Sequence, residues 1–83
     1  MKKIPKSLLD KYIELSRQYW DIGELSLLDD MKYASYAISD AINVDWLSVE
    51  NFIDAIIRHR GFLPHAENEK IYEALSVLGW EVI

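Results

Sequence analysis

At 83 residues the chain has room for one hydrophobic core and not for two, so a single helical domain spanning residues 1–83 is expected. It contains no cysteine, which excludes a disulfide framework, a thiolate zinc site and a cysteine nucleophile. No apolar run approaches the ~20 residues that span a bilayer, and Lys2, Lys3 and Lys6 lead into no signal-peptide stretch, so a cytoplasmic protein without a membrane role is expected.

The net charge of −5 is unevenly placed. Residues 1–20 carry Lys2, Lys3, Lys6, Lys11 and Arg17 against Asp10 and Glu14, a net +3. Residues 21–54 carry Asp21, Glu24, Asp29, Asp30, Asp40, Asp45, Glu50 and Asp54 against Lys32 alone, a net −7. A concentrated negative field repels phosphate and attracts basic surfaces, which disfavours nucleic acid as a partner and favours a basic protein.

Periodicity and punctuation predict four helices, an all-α bundle. The first runs from Pro5 to Ile22 and stops at Gly23. Leu8, Tyr12, Leu15, Tyr19 and Ile22 make one stripe, while Leu9, Ile13 and Trp20 lie roughly 120–160° round from its centre at about 100° per residue. A helix apolar over half its circumference sits between two neighbours or keeps a strip centred on Trp20 for a partner.

The second helix spans Ser26 to Ile42, with Ser26 and Asp29 spaced as a capping-box variant. Leu27, Met31, Ala34, Ile38 and Ala41 form its core stripe, flanked by Leu28 and Ile42. On the opposite side Asp29, Tyr33, Tyr36 and Asp40 fall within about 60° of arc, an aromatic and acidic strip directed away from the core, with Asp30 beside it.

Asn43–Leu47 breaks the pattern, and Ser48 caps a third helix reaching Arg60, with Gly61 as its stop and Arg58, His59 and Arg60 in its last turn. Val49, Phe52, Ile53, Ile56 and Ile57 face inward, and Glu50, Asp54 and Arg58 form an outer, solvated row. A loop around Pro64 leads to a fourth helix over Ala66–Leu78, ended by Gly79. The tail Trp80–Ile83 is too apolar to hang free, so Trp80 and at least one of Val82 or Ile83 are expected to dock on the bundle. A short edge strand is the alternative.

Chemistry is thinly represented. His59, His65 and Glu67 do not have the spacing of a metal site, the serines lack a nucleophile elbow and a partnered histidine, and no glycine-rich phosphate loop is present. Asp29 and Asp30 are adjacent and diverge by about 100°, so they do not act as a paired acid and base. No metal or cofactor is expected, and no enzymatic activity. The start of the third helix, Ser48–Val49–Glu50–Asn51, puts an acid where a recognition helix would approach phosphate, which argues against a helix-turn-helix reader.

What remains is binding through Asp29, Tyr33, Tyr36 and Asp40, with Asp30. Tyrosine offers rigid area and a hydroxyl, and the carboxylates pair with lysine or arginine; the alternative for Tyr33 and Tyr36 is that they pack under a neighbouring helix or the C-terminal tail with their hydroxyls reaching water. In size, helicity and its acidic, tyrosine-bearing helix the chain is similar in physical character to the helical immunity proteins of nuclease bacteriocins. That likeness implies a monomer, or a weak homodimer, whose partner is a basic toxin or nuclease domain. Two alternatives stand beside it: a phage-encoded inhibitor of a host defence system, and a self-associating structural or adaptor module buried through Leu9, Ile13 and Trp20 or through the tail.

Overall fold

Four helices and one pair of short strands follow one another in a computed structural model that describes residues 2–59 and 67–83, with side-chain surroundings for 2–55 and 67–83. The order is β1 (Lys2–Ile4), α1 (Lys6–Ile22), α2 (Ser26–Ile42), α3 (Trp46–His59), α4 (Asn68–Val77) and β2 (Trp80–Val82). The architecture is an all-α bundle with a two-stranded parallel sheet where the two ends of the chain meet. The expected third-helix stop at Gly61, the loop at Pro64, the fourth-helix start at Ala66, and His65 lie outside the described residues, as do the side chains of Ile56, Ile57, Arg58 and His59.

Pro5 precedes α1 with φ −65°, a value its ring imposes, and its carbonyl accepts the Leu9 amide at 3.1 Å. Gly23 ends the helix at φ 64°, a left-handed conformation that costs a glycine little, and donates its amide to the Tyr19 carbonyl at 2.9 Å. The short connection to Ser26 returns α2 against α1 as an antiparallel helical hairpin, the most extensive packing between elements in the fold. Asn43 closes α2 in the same left-handed way, at φ 58°.

Two expected caps are corrected. Ser26 lies inside α2, whose capping position is Leu25, and no side-chain cap bond forms there, so the Ser26–Asp29 box is not made. The third helix begins at Trp46, two residues before Ser48. Its cap is Asp45, whose carboxylate accepts the Ser48 amide at 3.0 Å and the Ser48 hydroxyl at 2.7 Å. These bonds favour the charged form and hold the Asp45 carboxyl below its ordinary value.

The core gathers Leu9, Tyr12 and Ile13 of α1, Met31, Ala34 and Ile38 of α2, Val49 and Ile53 of α3, Ile71, Ala74 and Leu75 of α4, and Ile4 and Trp80 from the strands. Both apolar sectors of α1 are thus used internally as far as Ser16. Beyond it Tyr19 still packs on the core, while Trp20 is 59% exposed and Ile22 63%. Ala41, assigned to the core by periodicity, is exposed. Ser35, on the neighbouring face, is fully buried.

The row Glu50–Asp54 is not a solvated one. Both side chains are half-buried, the Tyr12 hydroxyl donates to Asp54 Oδ1 at 2.9 Å, and the Ser35 hydroxyl, which donates to the Lys32 carbonyl at 2.6 Å, lies 3.2 Å from Glu50 Oε1. The buried Tyr12 hydroxyl of α1 needs an acceptor, and α3 supplies one.

The tail docks, and it does so as a strand. Gly79 turns the chain at φ 90° out of α4, and β2 pairs in parallel with β1, Lys2 opposite Trp80 and Ile4 opposite Val82. The ladder continues through Ile83 N–H to Ile4 O at 3.0 Å and Lys6 N–H to Ile83 O at 2.6 Å. Trp80 stacks on Phe52 with ring centroids 5.3 Å apart and planes 10° from parallel, and Lys2 Nζ lies 5.2 Å from the Trp80 ring centroid. Val82 packs on the core, and Ile83 stays 57% exposed.

Candidate binding surface

α2 presents its core face to α1, α3 and β1, which leaves the sector holding Asp29, Tyr33 and Asp40 outside the bundle. All three are exposed, Tyr33 to 68%, and so is Asp30. Among the described residues none of the three aspartates makes a side-chain hydrogen bond or an ion pair.

Tyr36 departs from the expected strip. It is half-buried because Trp46, the first residue of α3, folds back against it with ring centroids 5.2 Å apart and planes at 83°. Tyr33 in turn meets Tyr36 edge to face at 6.1 Å and 69°. Lys32 Nζ sits 5.2 Å from the Trp46 ring centroid. The three rings form a graded ledge in which Trp46 and Tyr36 are supported by the fold and Tyr33 stands out from them, braced on one edge. A tyrosine so held loses less conformational freedom on contact than a free one.

Sequence reasoning missed Trp46 and Lys32. Asn43–Leu47 breaks the helical period, so its aromatic side chain had no face to be assigned to. The available signal was a tryptophan directly after a capping aspartate, at the start of a helix whose inward positions begin only at Val49.

The acids on this surface are placed against local preference at one point. Asp40 lies in the last turn of α2, which holds no basic residue, although the negative end of a helix dipole favours cations there. Asp40 also shares a shallow hollow of about 260 Å³ with Asp45, Ser39, Asn43 and Val44. Two carboxylates and the carbonyl end of α2 meet at the α2–α3 corner; the amide end of α3 offsets Asp45, which leaves Asp40 as the uncompensated acid, and the Ser39 hydroxyl there is already committed to the Val44 carbonyl.

On the other flank, Tyr33 and Asp30 line the mouth of a groove of about 390 Å³ between α1 and α2. Its floor is Leu8, Leu15 and Ala34, with Lys11 on the α1 side. Tyr33 thus stands between the ledge and the groove.

Among the described residues no group of three or more His, Cys, Asp or Glu side chains is gathered to hold a metal ion, and no helix is long and apolar enough to cross a membrane. No protein-family model matches the chain, no curated protein matches it, and no solved structure matches it. The functional reading accordingly rests on the geometry of this surface.

Proposed function

We propose that the chain is a small acidic binding protein that neutralises a basic macromolecular partner in the cytoplasm by covering it, as an immunity protein or antitoxin covers a nuclease-type toxin, with no catalytic step of its own. The observation that carries the reading is Tyr33, 68% exposed and braced by Tyr36, which Trp46 in turn supports, with Asp29, Asp30 and Asp40 unpaired around it. A small fold has a thermodynamic reason to bury a large ring, and this one holds it out in a field of acids. A basic nucleic-acid groove complements such a surface in charge and in shape, and opposite fields speed encounter.

The test is capture of partners from extracts of the native host on the immobilised protein, with and without the double change Tyr33→Ala and Asp40→Lys. A basic protein that binds the parent chain and is lost from the double variant supports the reading. A partner held equally by both removes this surface from the argument. Trp20, at 59% exposure on the opposite side of α1 from Leu15, favours a second reading, a self-associating module. A concentration-dependent dimer in sedimentation, abolished by Trp20→Ser, would establish that one.

A further inference from the structure

The groove between α1 and α2 deepens this proposal, on which the following inference rests. The geometry points to a basic amphipathic helix of the partner as its occupant, seated with an apolar side chain between Leu8, Leu15 and Ala34, and with a lysine or arginine on Asp30 beside the ring of Tyr33.

The groove follows from the sequence of α2. Ala34 and Ala37 are one turn apart on the flank facing α1, and neither fills the space beside Leu8 and Leu15, which are left half-buried. A larger residue at either alanine would have closed the hairpin. The resulting volume, about 390 Å³, lies at the small end of the range of roughly 300–1,000 Å³ typical of ligand pockets and is enough for one or two aliphatic or aromatic side chains.

The shape selects a helix. The walls are two antiparallel helices of 17 residues, each about 25 Å long at ~1.5 Å per residue, and a third helix lying along such a pair sets its ridge of side chains into the groove between them.

The rim selects the charge. On the α2 side Asp30 is unpaired and exposed, with Asp29 and Asp40 on the adjoining arc, and on the α1 side stands a single cation, Lys11. Asp30 and Lys11 offset each other in the lining itself and the excess charge is the acid along the α2 side, so a helix that lays lysine or arginine along α2 beside its apolar stripe gains on both counts, and an acidic helix is repelled. Tyr33, at the α2 lip and 68% exposed, can take a guanidinium against its ring while it stays in contact with Tyr36.

The inference is tested with a defined probe. A synthetic helical peptide of roughly 18 residues, with leucines at i, i+3, i+4 and i+7 spacing and lysine or arginine beside them, is titrated into the isotopically labelled protein and followed by amide shifts. Two controls have the same composition in scrambled order and the same pattern with glutamate replacing the cations. Saturable shifts centred on Leu8, Leu15, Tyr33 and Ala37, with Kd below about 1 mM, are expected from the basic amphipathic peptide alone.

Ala37→Trp fills the mouth from an exposed position and should weaken that binding at least ~10-fold, and Asp30→Lys should weaken it by ~3-fold or more, with thermal melting unchanged in both. Absence of saturable shifts, equal binding of the scrambled peptide, or undiminished binding by Ala37→Trp overturns the inference. A dimer of the protein alone that Ala37→Trp dissociates also overturns it, by assigning the groove to a second copy. If the peptide is lost from the Tyr33→Ala and Asp40→Lys variant but not from Ala37→Trp, the groove fails and the acidic surface stands. If the glutamate peptide binds as well as the basic one, charge complementarity fails and both readings fall together.

Discussion

The end of the bundle where the chain termini meet and the outer face of α2 are built from the same materials, aromatic rings, carboxylates and lysines, and put them to opposite use. At the termini the rings and the charges beside them are engaged within the fold, and only Asn68 Oδ1 is left buried without a hydrogen-bond partner among the described residues. Tyr72 donates its hydroxyl to Asp10 Oδ1, Asn68 Nδ2 donates to the same oxygen at 3.2 Å, Lys6 Nζ lies 5.3 Å from the Tyr72 ring centroid, and Trp80 is clasped between Phe52 and Lys2. On α2 the commitment stops half-way. Trp46 and Tyr36 are used by the fold, while Tyr33 and the aspartates around it are left to solvent. The type of residue therefore does not distinguish a structural cluster from a binding one. What distinguishes them is whether the polar atoms find partners inside the chain.

This contrast predicts unequal costs. Trp80→Ala removes the stacked ring that pins β2 to α3 and opens a cavity beside Phe52, and should cost about 3–5 kcal/mol in urea unfolding, enough to leave so small a fold near its limit. A loss under about 1 kcal/mol would mean that the terminal strand pair is an appendage and not part of the core.

Tyr72→Phe keeps the ring and deletes the bond to Asp10, for a loss of about 1–2 kcal/mol near neutral pH. It also carries a signature in pH. Burial, and then the adjoining Asp10 carboxylate, push the Tyr72 hydroxyl up from 10.0 to about 12. A group whose folded value is raised stabilises the fold fully below its unfolded value, so this contribution is present below pH 10 and drains away as the pH rises from 10 towards 12. The parent protein should lose stability across that window and the phenylalanine variant should lose less. Parallel curves would show that the bond is not made in solution.

How much of this was legible in the sequence depends on range. The α2 boundaries were readable because Gly23 and Asn43 punctuate them locally, and Asp29, Tyr33 and Asp40 came out on the exposed face because helical period alone decides it. What period cannot see is which neighbour arrives from elsewhere in the chain. Helical period leaves Tyr33 and Tyr36 alike on the outer face, and nothing within α2 shows that Trp46 will fold back on Tyr36. Glu50 and Asp54 read as an outer row because their partners, Ser35 and Tyr12, lie 15 and 42 residues away. The parallel pairing of Lys2–Ile4 with Trp80–Val82 joins the two ends of the chain, and three residues are too few to establish an alternating strand pattern. The groove was invisible for a different reason. Ala34 and Ala37 read as ordinary helix formers, and a space shows only when both walls are in place.

On the α2 face the predicted costs nearly vanish. Tyr33→Ala should leave the unfolding free energy within about 0.5 kcal/mol of the parent while removing most of the contact area offered to a partner. A cost approaching that of Trp80→Ala would make the ring a structural one and dissolve the contrast.

The smallest expected effect is also the most discriminating, because its sign is opposite to the others. Asp40 sits in the last turn of α2 with no basic residue to offset the helix dipole, and shares its hollow with Asp45. Asp40→Lys replaces a repelled charge by an attracted one and should raise stability by about 0.3–0.5 kcal/mol at low salt, the gain shrinking as salt screens it. If the same substitution stabilises the free protein and weakens capture of a basic partner, the acid is held at that corner against the interest of the fold and for the interest of the complex. If it stabilises the protein and leaves capture intact, the binding surface ends at Tyr33 and does not extend to the α2–α3 corner.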